Sequence, residues 1–329
     1  MKIKNITSIG EFGLIDIIKN KFVNTNNDSD IIVNIGDDSF CFKLGNMRLC
    51  ISKDMLIEDV HFKKDWIDPE GLGKKSIEVN VSDIAAMGAV SPRYAFIGLG
   101  LPQKTSKAFF IQLYKGFKGA CDNYNMAIVG GDFVKSDKIV ISVTIVGIVN
   151  GKIIKRSGAK FGDLIGVTNF FGDAGAGFSL LYRYGTRHKF NRNERILISK
   201  QNNPKARLKE AWKMSKYLTS LIDASDGLYV SIDSITKHSG KGAEIYIDKI
   251  PVSLNLKNVF RKNKEQLNFA LFGSEDYELV FTVPNSKASF LKKLVPQISY
   301  IGKITTSKKV KYFYDHEEQK IKYFGYKHF

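Results

Sequence analysis

The chain reads as two domains built from both helices and strands. Three observations carry that expectation. Its 329 residues exceed one ordinary domain. Runs with strand-like alternation interleave with runs of helical spacing along its length. A long strand-like stretch at 138–149 ends just before Gly151, where a new section begins. The boundary falls there, giving domains 1–150 and 151–329.

The elements follow in order. Residues 11–22 have the pattern of a short amphipathic helix, and the polar stretch 24–30 that of a loop. A strand at 31–35 runs into Gly36-Asp37-Asp38, which puts two carboxylates at a tight turn. Residues 39–44 and 47–52 alternate as a hairpin turning at Gly45-Asn46, with Cys41 facing Cys50. Ser52 and Asp54, two apart on a strand, share a side. Val60-His61-Phe62 follows, and a lone histidine there is more often structural than functional, so His61 is not singled out on its own.

The stretch 78–88 organises the first half. Ile77, Val81, Ile84, Ala85 and Gly88 repeat on one helical face. Asn80 and Asp83 lie on another, with Ser76 one turn earlier. The flanking residues are small or apolar, so Asp83 is expected in a buried setting, where a carboxylate must be paired or hold a metal. A strand at 93–99, a helix at 105–124 and a strand at 126–129 come next. The last ends at Gly130-Gly131-Asp132, a second acid expected at a strand-to-turn junction, where paired glycines allow close approach to phosphate.

The second half opens with the basic segment 155–160 and a strand at 164–168. Gly172, Gly175 and Gly177 read as a connection into a helix from Phe178. Their spacing matches neither a Walker A loop nor a dinucleotide fingerprint, and tight strand–helix packing explains them equally well. Asp223-Ala224-Ser225-Asp226-Gly227 is a further acid pair. Gly273-Ser274-Glu275-Asp276-Tyr277-Glu278 places three acids before a strand. The C-terminal tail is aromatic, with Tyr323 and Phe324 among its rings.

Composition narrows the function classes. A hydrophobic content of 43% and a charged content of 25% are those of a soluble globular protein. No apolar run is long enough to span a membrane, and the N-terminus lacks the pattern of a signal peptide. Three cysteines make neither a disulfide framework nor a CxxC metal pattern, which fits a reducing cytoplasm. The net charge of +17 could serve nucleic acid, an anionic surface or a phosphorylated substrate. The lysines are scattered, however, and nucleic-acid motifs are missing, so solvated surface lysines are favoured and neither nucleic acid nor membrane is expected as a partner. Against that basic background the acids Asp37, Asp38, Asp54, Asp83, Asp132, Asp223 and Asp226 gather in a few short segments. Oxygen ligands without histidine or cysteine suit magnesium, which joins carboxylates to substrate phosphates. That points to a nucleotide or other polyphosphate.

Taken in order, seven motifs carry a resemblance. They are Ile-Gly-Asp-Asp (35–38), Ser-x-Asp-Met-Leu with Val-His-Phe (52–62), Val-Asn-Val-Ser-Asp-Ile-Ala-Ala-Met-Gly-Ala (79–89), Gly-Gly-Asp (130–132), Arg-Ser-Gly-Ala-Lys-x-Gly-Asp (156–163), Ser-Asp-Gly-Leu (225–228) and Gly-x-Glu-Asp-Tyr-Glu-Leu-x-Phe (273–281). The set resembles the thiamine-monophosphate kinase family of the aminoimidazole ribonucleotide synthetase-like superfamily, over nearly the whole chain. The resemblance implies two α/β domains, with the N-terminal sheet pairing across a homodimer. It implies transfer of the terminal phosphate of ATP to thiamine monophosphate with several magnesium ions. By the same resemblance Asp38, Ser52, Asp54, Asp83, Asp132 and Asp226 would ligate magnesium. Gly131, Arg156 and Ser225 would contact ATP beside Asp132, and Asp223 would help arrange the site. His61 and Glu275 would contact the acceptor, on which Tyr323 or Phe324 would stack. The acceptor is a phosphate, already nucleophilic, so no histidine or lysine base is expected.

Four positions depart from the family pattern. Lys53 stands where a small hydroxyl residue is usual, between two expected ligands. Phe133-Val134 replaces hydroxyl residues, and Ser274 replaces a glycine. Within the superfamily, a selenophosphate synthetase is disfavoured by the lack of an N-terminal cysteine. An aminoimidazole ribonucleotide synthetase-like enzyme, activating another substrate with ATP, is the alternative, disfavoured by the Glu275-Asp276-Tyr277 block.

Overall fold

The computed structural model describes residues 6, 9–23 and 28–322. Two mixed sheets organise them. The first holds β1 (Ile31–Val33), β2 (Phe40–Leu44), β3 (Met47–Ile57), β4 (Gly88–Leu101), β5 (Ala127–Lys135) and β6 (Val140–Ile153), in the order β1-β2-β3-β6-β4-β5. The second holds β7 (Leu164–Thr168), β8 (Ser220–Asp223), β9 (Gly242–Tyr246), β10 (Leu279–Val283), β11 (Ile298–Thr305), β12 (Val310–Tyr314) and β13 (Glu317–Gln319), ordered β13-β12-β9-β11-β7-β10-β8. Helices α1 (Gly10–Lys21), α2 (Pro69–Ala86) and α3 (Lys107–Asn123) accompany the first sheet. Helices α4 (Asp173–Tyr184), α5 (Arg192–Asn202), α7 (Leu228–Ser239), α8 (Leu254–Val259), α9 (Asn263–Phe272) and α10 (Asn285–Leu294) belong to the second half, as does α6 (Leu208–Met214), which reaches back to β4, where Trp212 donates to the Val90 carbonyl. The α/β expectation for both halves holds.

Helix α2 is the keystone. Asp68 caps its first turn by accepting from the Gly71 amide at 2.8 Å, and Pro69 supplies a first residue that needs no amide partner. Ile77, Val81, Ile84 and Ala85 are wholly buried, as their spacing requires. Gly88 is not on that face. The helix stops at Ala86, and Gly88 opens β4 with φ +92, a conformation that disfavours any side chain. On the far side, Gly73 of α2 meets Gly116 of α3. A Cβ on Gly116 would lie 2.0 Å from the Glu70 carbonyl, so the two helices touch backbone to backbone. Glu78, the other acid of this stretch, is held structurally by the Tyr124 hydroxyl at 2.6 Å and the Ala206 amide at 2.9 Å.

Two expected turns are regular structure instead. Gly130-Gly131-Asp132 lies inside β5, paired in parallel with β4, and the strand continues to Lys135. Helix α4 starts at Asp173, so Gly175 and Gly177 are helical. Their smallness serves packing. A Cβ on Gly177 would sit 2.2 Å from the Leu197 carbonyl of α5, and one on Gly175 would sit 2.8 Å from the Gly273 Cα. The contact is thus helix to helix and helix to loop, not strand to helix. Cys41 and Cys50 are direct cross-strand partners, both buried free thiols, with Cys41 Sγ donating to Cys50 Sγ at 3.0 Å. No helix among the described residues is long and apolar enough to cross a membrane.

Candidate active site

Three carboxylates from distant parts of the chain converge where the two sheets meet. Asp38 comes from the turn before β2, Asp83 from α2 and Asp223 from the end of β8, and one oxygen of each lies within 4.8 Å of the others. Each is placed by its neighbours. Ser52 on β3 donates to Asp83 at 2.7 Å, and Ser82, the residue before Asp83, donates to Asp223 at 2.7 Å. The Asp54 amide is held by the Asn80 side chain at 3.0 Å, which ties β3 to α2 one turn before Asp83. Arg156 donates Nη2 to Asp38 at 2.6 Å. Its backbone amide is anchored by Asp37, whose carboxylate also accepts the Asp38 amide. The strand alternation that places Ser52 and Asp54 on the α2 side puts Lys53 on the opposite face, where its Nζ donates to Ser142 at 2.6 Å.

The electrostatics follow from crowding. Burial first, then repulsion from Asp54, Asp223 and Asp38, pushes the Asp83 carboxyl well above the usual carboxylate range, although the Ser52 hydroxyl works against it. Burial and the Asp38 charge raise Asp223 to about 8, with Ser82 and Arg156 opposing. Burial and Asp38 raise Asp37 to about 6. Two buried polar atoms at this centre, Asp38 Oδ2 and Arg156 Nε, have no hydrogen-bond partner among the described residues. A lone acceptor in an all-oxygen cluster fits a hard divalent cation, and a lone guanidinium donor beside it fits an anionic oxygen. The donor set therefore suits magnesium with a phosphate.

The centre opens into a cleft of about 1140 Å³ lined by Asp37, Asp38, Asp54, Asp83, Arg156, Asp223, Ser225, Asp226 and Glu275, among others. Ser225 and Asp226 sit in the loop after β8. Gly227 has φ +98 and packs on the Gly273 carbonyl, so this loop and the Glu275 segment touch closely. A second pocket of about 330 Å³ adjoins the cleft at His61 and is walled by Trp66, Phe178 and Tyr182. Trp66 stands edge-on to Phe178, which stacks with Tyr182. His61 accepts the Ile57 amide on Nδ1 at 3.1 Å, so its Nε2 carries the proton and can donate. The aromatic wall was missed in the sequence, although Phe178 and Tyr182 at helical spacing were a readable hint.

The three acids at 275–278 separate into three tasks. Only Glu275 reaches the cleft. Asp276 accepts the Gly172 and Ala174 amides at the start of α4, and Glu278 takes the Arg207 fork with Thr168 and Asn169. Gly131 and Asp132 do not join the cluster within one chain. Asp132 shares a row with Gly98, Ser142 and Met55 on the outer face of the sheet, opposite Ser52 and Asp54. Three strand spacings separate β5 from β3, on the order of 14 Å. Tyr323 and Phe324 lie outside the described residues.

Comparison with known proteins gives the family. Family models of AIR synthase related protein match the chain, the N-terminal domain over residues 36–149 and the C-terminal domain over 160–315. A thiamine-monophosphate kinase of Aquifex aeolicus is 36% identical over 326 residues, covering 98% of this chain and 99% of that protein. One from Bacillus subtilis is 32% identical over 304 residues, covering 89% and 92%. This chain belongs to the thiamine-monophosphate kinase family. Among solved structures of the family, AaThiL complexed with AMPPCP and TMP superposes with a TM-score of 0.87 at 34% identity and covers 100% of both chains.

Proposed function

We propose that this protein is an ATP-dependent thiamine-monophosphate kinase. The convergence of Asp38, Asp83 and Asp223 beside a large interdomain cleft carries the reading, in a chain whose likeness to the AaThiL complex with AMPPCP and TMP extends from end to end. An oxygen of the acceptor phosphate attacks the terminal phosphorus of ATP. One P–O bond forms, the bond to the bridging oxygen breaks, and thiamine diphosphate and ADP result. Magnesium, when bound, neutralises charge on the phosphates. Asp38, Ser52, Asp54, Asp83 and Asp226 would hold it, with Asp223 arranging the cluster. Arg156, whose Nε has no hydrogen-bond partner among the described residues, offers a donor to a phosphate oxygen of ATP, and Ser225 lines the same cleft. His61 donates through Nε2 and Glu275 accepts at the acceptor end, where the ring pocket takes the organic part of the substrate. Tyr323 or Phe324 would stack on it. The attacking phosphate oxygen needs no proton removed, so no base is assigned.

The reading includes a homodimer formed through the first sheet. Its outer face and the β5 edge expose Tyr94, Phe96, Val129, Phe133 and Val134, an apolar surface of the kind that pairing covers. In that arrangement Gly131 and Asp132 serve the site of the partner subunit, which reconciles their role in ATP and magnesium binding with their distance from Asp83. A domain boundary near residue 150 and a cytoplasmic location complete the reading, the latter supported by three buried free thiols.

The test is product analysis of the protein with ATP, magnesium and thiamine monophosphate, against a control without magnesium. Thiamine diphosphate formed in equal amount to ADP, and only with magnesium, is the expected result. ATP turnover without thiamine diphosphate would overturn the acceptor assignment.

A further inference from the structure

Lys75 is a fully buried lysine, 1% exposed, two turns before Asp83 on α2. A buried ammonium demands compensation. Its Nζ donates to the Gln201 carbonyl at 2.9 Å and to Glu275 Oε2 at 3.1 Å. The side-chain amide of Gln201, itself buried, donates to the same Glu275 oxygen. One carboxylate oxygen thus receives two donors from opposite sides of the domain junction, and among the described residues no hydrogen bond reaches the other, Oε1. The backbone serves the same end. Glu275 has φ +65 and Tyr277 φ +49, left-handed values that are uncommon for residues with side chains. Amides 275 and 277 are held on the carbonyls of Ser225 and Ala224. Lys75 and Gln201 line the aromatic pocket, while Gln201 and Glu275 line the large cleft, so the three residues sit where the two spaces join.

We infer that Lys75 and Gln201 are positioning residues that hold Glu275 by one oxygen and aim the other at the acceptor. The inference rests on the reading of Glu275 as an acceptor contact. Fixing the carboxylate from both domains removes rotamers it would otherwise lose on binding and sets the distance between the acceptor and the acids on α2. A lysine kept only for folding would have no reason to share its carboxylate with the binding space.

Steady-state kinetics on Lys75→Met, Gln201→Leu, Glu275→Gln and the Lys75→Met/Glu275→Gln double variant test this, with the KM for thiamine monophosphate and for ATP measured separately and folding checked by thermal melting. Lys75→Met is expected to raise the acceptor KM about tenfold, the scale of a lost charge-assisted hydrogen bond, with the ATP KM within about twofold. Gln201→Leu raises it less. The double variant should be barely worse than Glu275→Gln, because both changes remove one interaction. If Glu275→Gln leaves the acceptor KM unchanged, the Glu275 reading itself fails. If Glu275→Gln raises it while folded Lys75→Met and Gln201→Leu do not, the positioning role alone fails. Equal rises in both KM values, or additive effects, would mean a purely structural lysine. Should Lys75→Met not fold, Gln201→Leu carries the same decision.

Discussion

Gly36-Asp37-Asp38 and Gly130-Gly131-Asp132 look alike on paper, each a strand followed by glycine and acid. In the fold they are opposites. The Asp38 side chain is wholly buried, bonded to Arg156 and gathered with Asp83 and Asp223. Asp132 lies exposed in an edge strand, its oxygen accepting the next residue's amide at 2.8 Å. Glycine and carboxylate make the same local chemistry available at both places. What differs is the covering: the segment carrying Arg156 and the end of β8 close over the first, while the second faces away from the domain junction. A binding motif is therefore only half a site, and the other half is whatever packs onto it.

The largest expected effect tests that contrast directly. Asp83→Asn should lower kcat by roughly two to three orders of magnitude, the scale seen when a group stabilising transition-state charge is removed. Asp132→Asn should also lose activity if it serves a partner's site. The decisive measurement mixes the two inactive variants under conditions of subunit exchange. A heterodimer then holds one site with both acids intact, and about a quarter of the wild-type activity should return. No recovery despite exchange, shown by a tagged chain, would place Asp132 outside any shared site and dissolve the comparison.

A smaller effect concerns the protons of the buried centre. Asp223 is held up at about 8 and Asp37 at about 6, both above the ordinary value of 3.8. The folded protein therefore binds protons there that the unfolded chain does not. Stability from this source is present below about pH 4 and is lost as pH rises through 6 and 8. Magnesium replaces the protons as the compensating charge, so its stabilisation should grow with pH. Thermal melting from pH 5 to 8.5, with and without magnesium, should show a metal-free Tm that falls across the range and a magnesium shift larger at 8.5 than at 6. A magnesium shift independent of pH would mean that the acids are not jointly charged.

Much of this was legible in the sequence, for reasons that can be named. Period-two and helical patterns marked the β2–β3 hairpin and α3 because one face of each is buried, whereas α2 and β7, buried nearly all round, showed as runs of mostly small or apolar residues. The pairing of Ser52 with Asp54 followed from strand alternation. Asp38, Asp83 and Asp223 were all singled out, but their meeting depends on contacts between residues up to 185 positions apart, which local pattern does not encode. Gly175 and Gly177 were misread because glycine in a helix contradicts propensity, and only the backbone of α5 at Leu197 explains it. Lys75 passed unnoticed because a buried lysine looks like any other until its carboxylate is located.

The smallest expected effect is at Lys53. By sequence it stands between two proposed ligands, where a cation would compete with magnesium. The geometry argues otherwise. Lys53 pairs with Thr144 across β3 and β6 and sends its ammonium to Ser142, on the face away from α2. The sheet lies between it and Asp83, and the exposed ammonium stays in water, where a charge at several ångströms is worth well under ~1 kcal/mol. Lys53→Thr should therefore change kcat and the magnesium dependence by less than about twofold. Phe133, the neighbouring departure, is on the helix side of the sheet, but in the edge strand three spacings from β3, where it packs on Phe110 and Tyr114 of α3. Magnesium titration of Lys53→Thr decides the point. A gain of fivefold or more in apparent magnesium affinity would mean that the lysine reaches round the β3 edge into the cleft it borders, and that strand alternation does not insulate the site from its outer face.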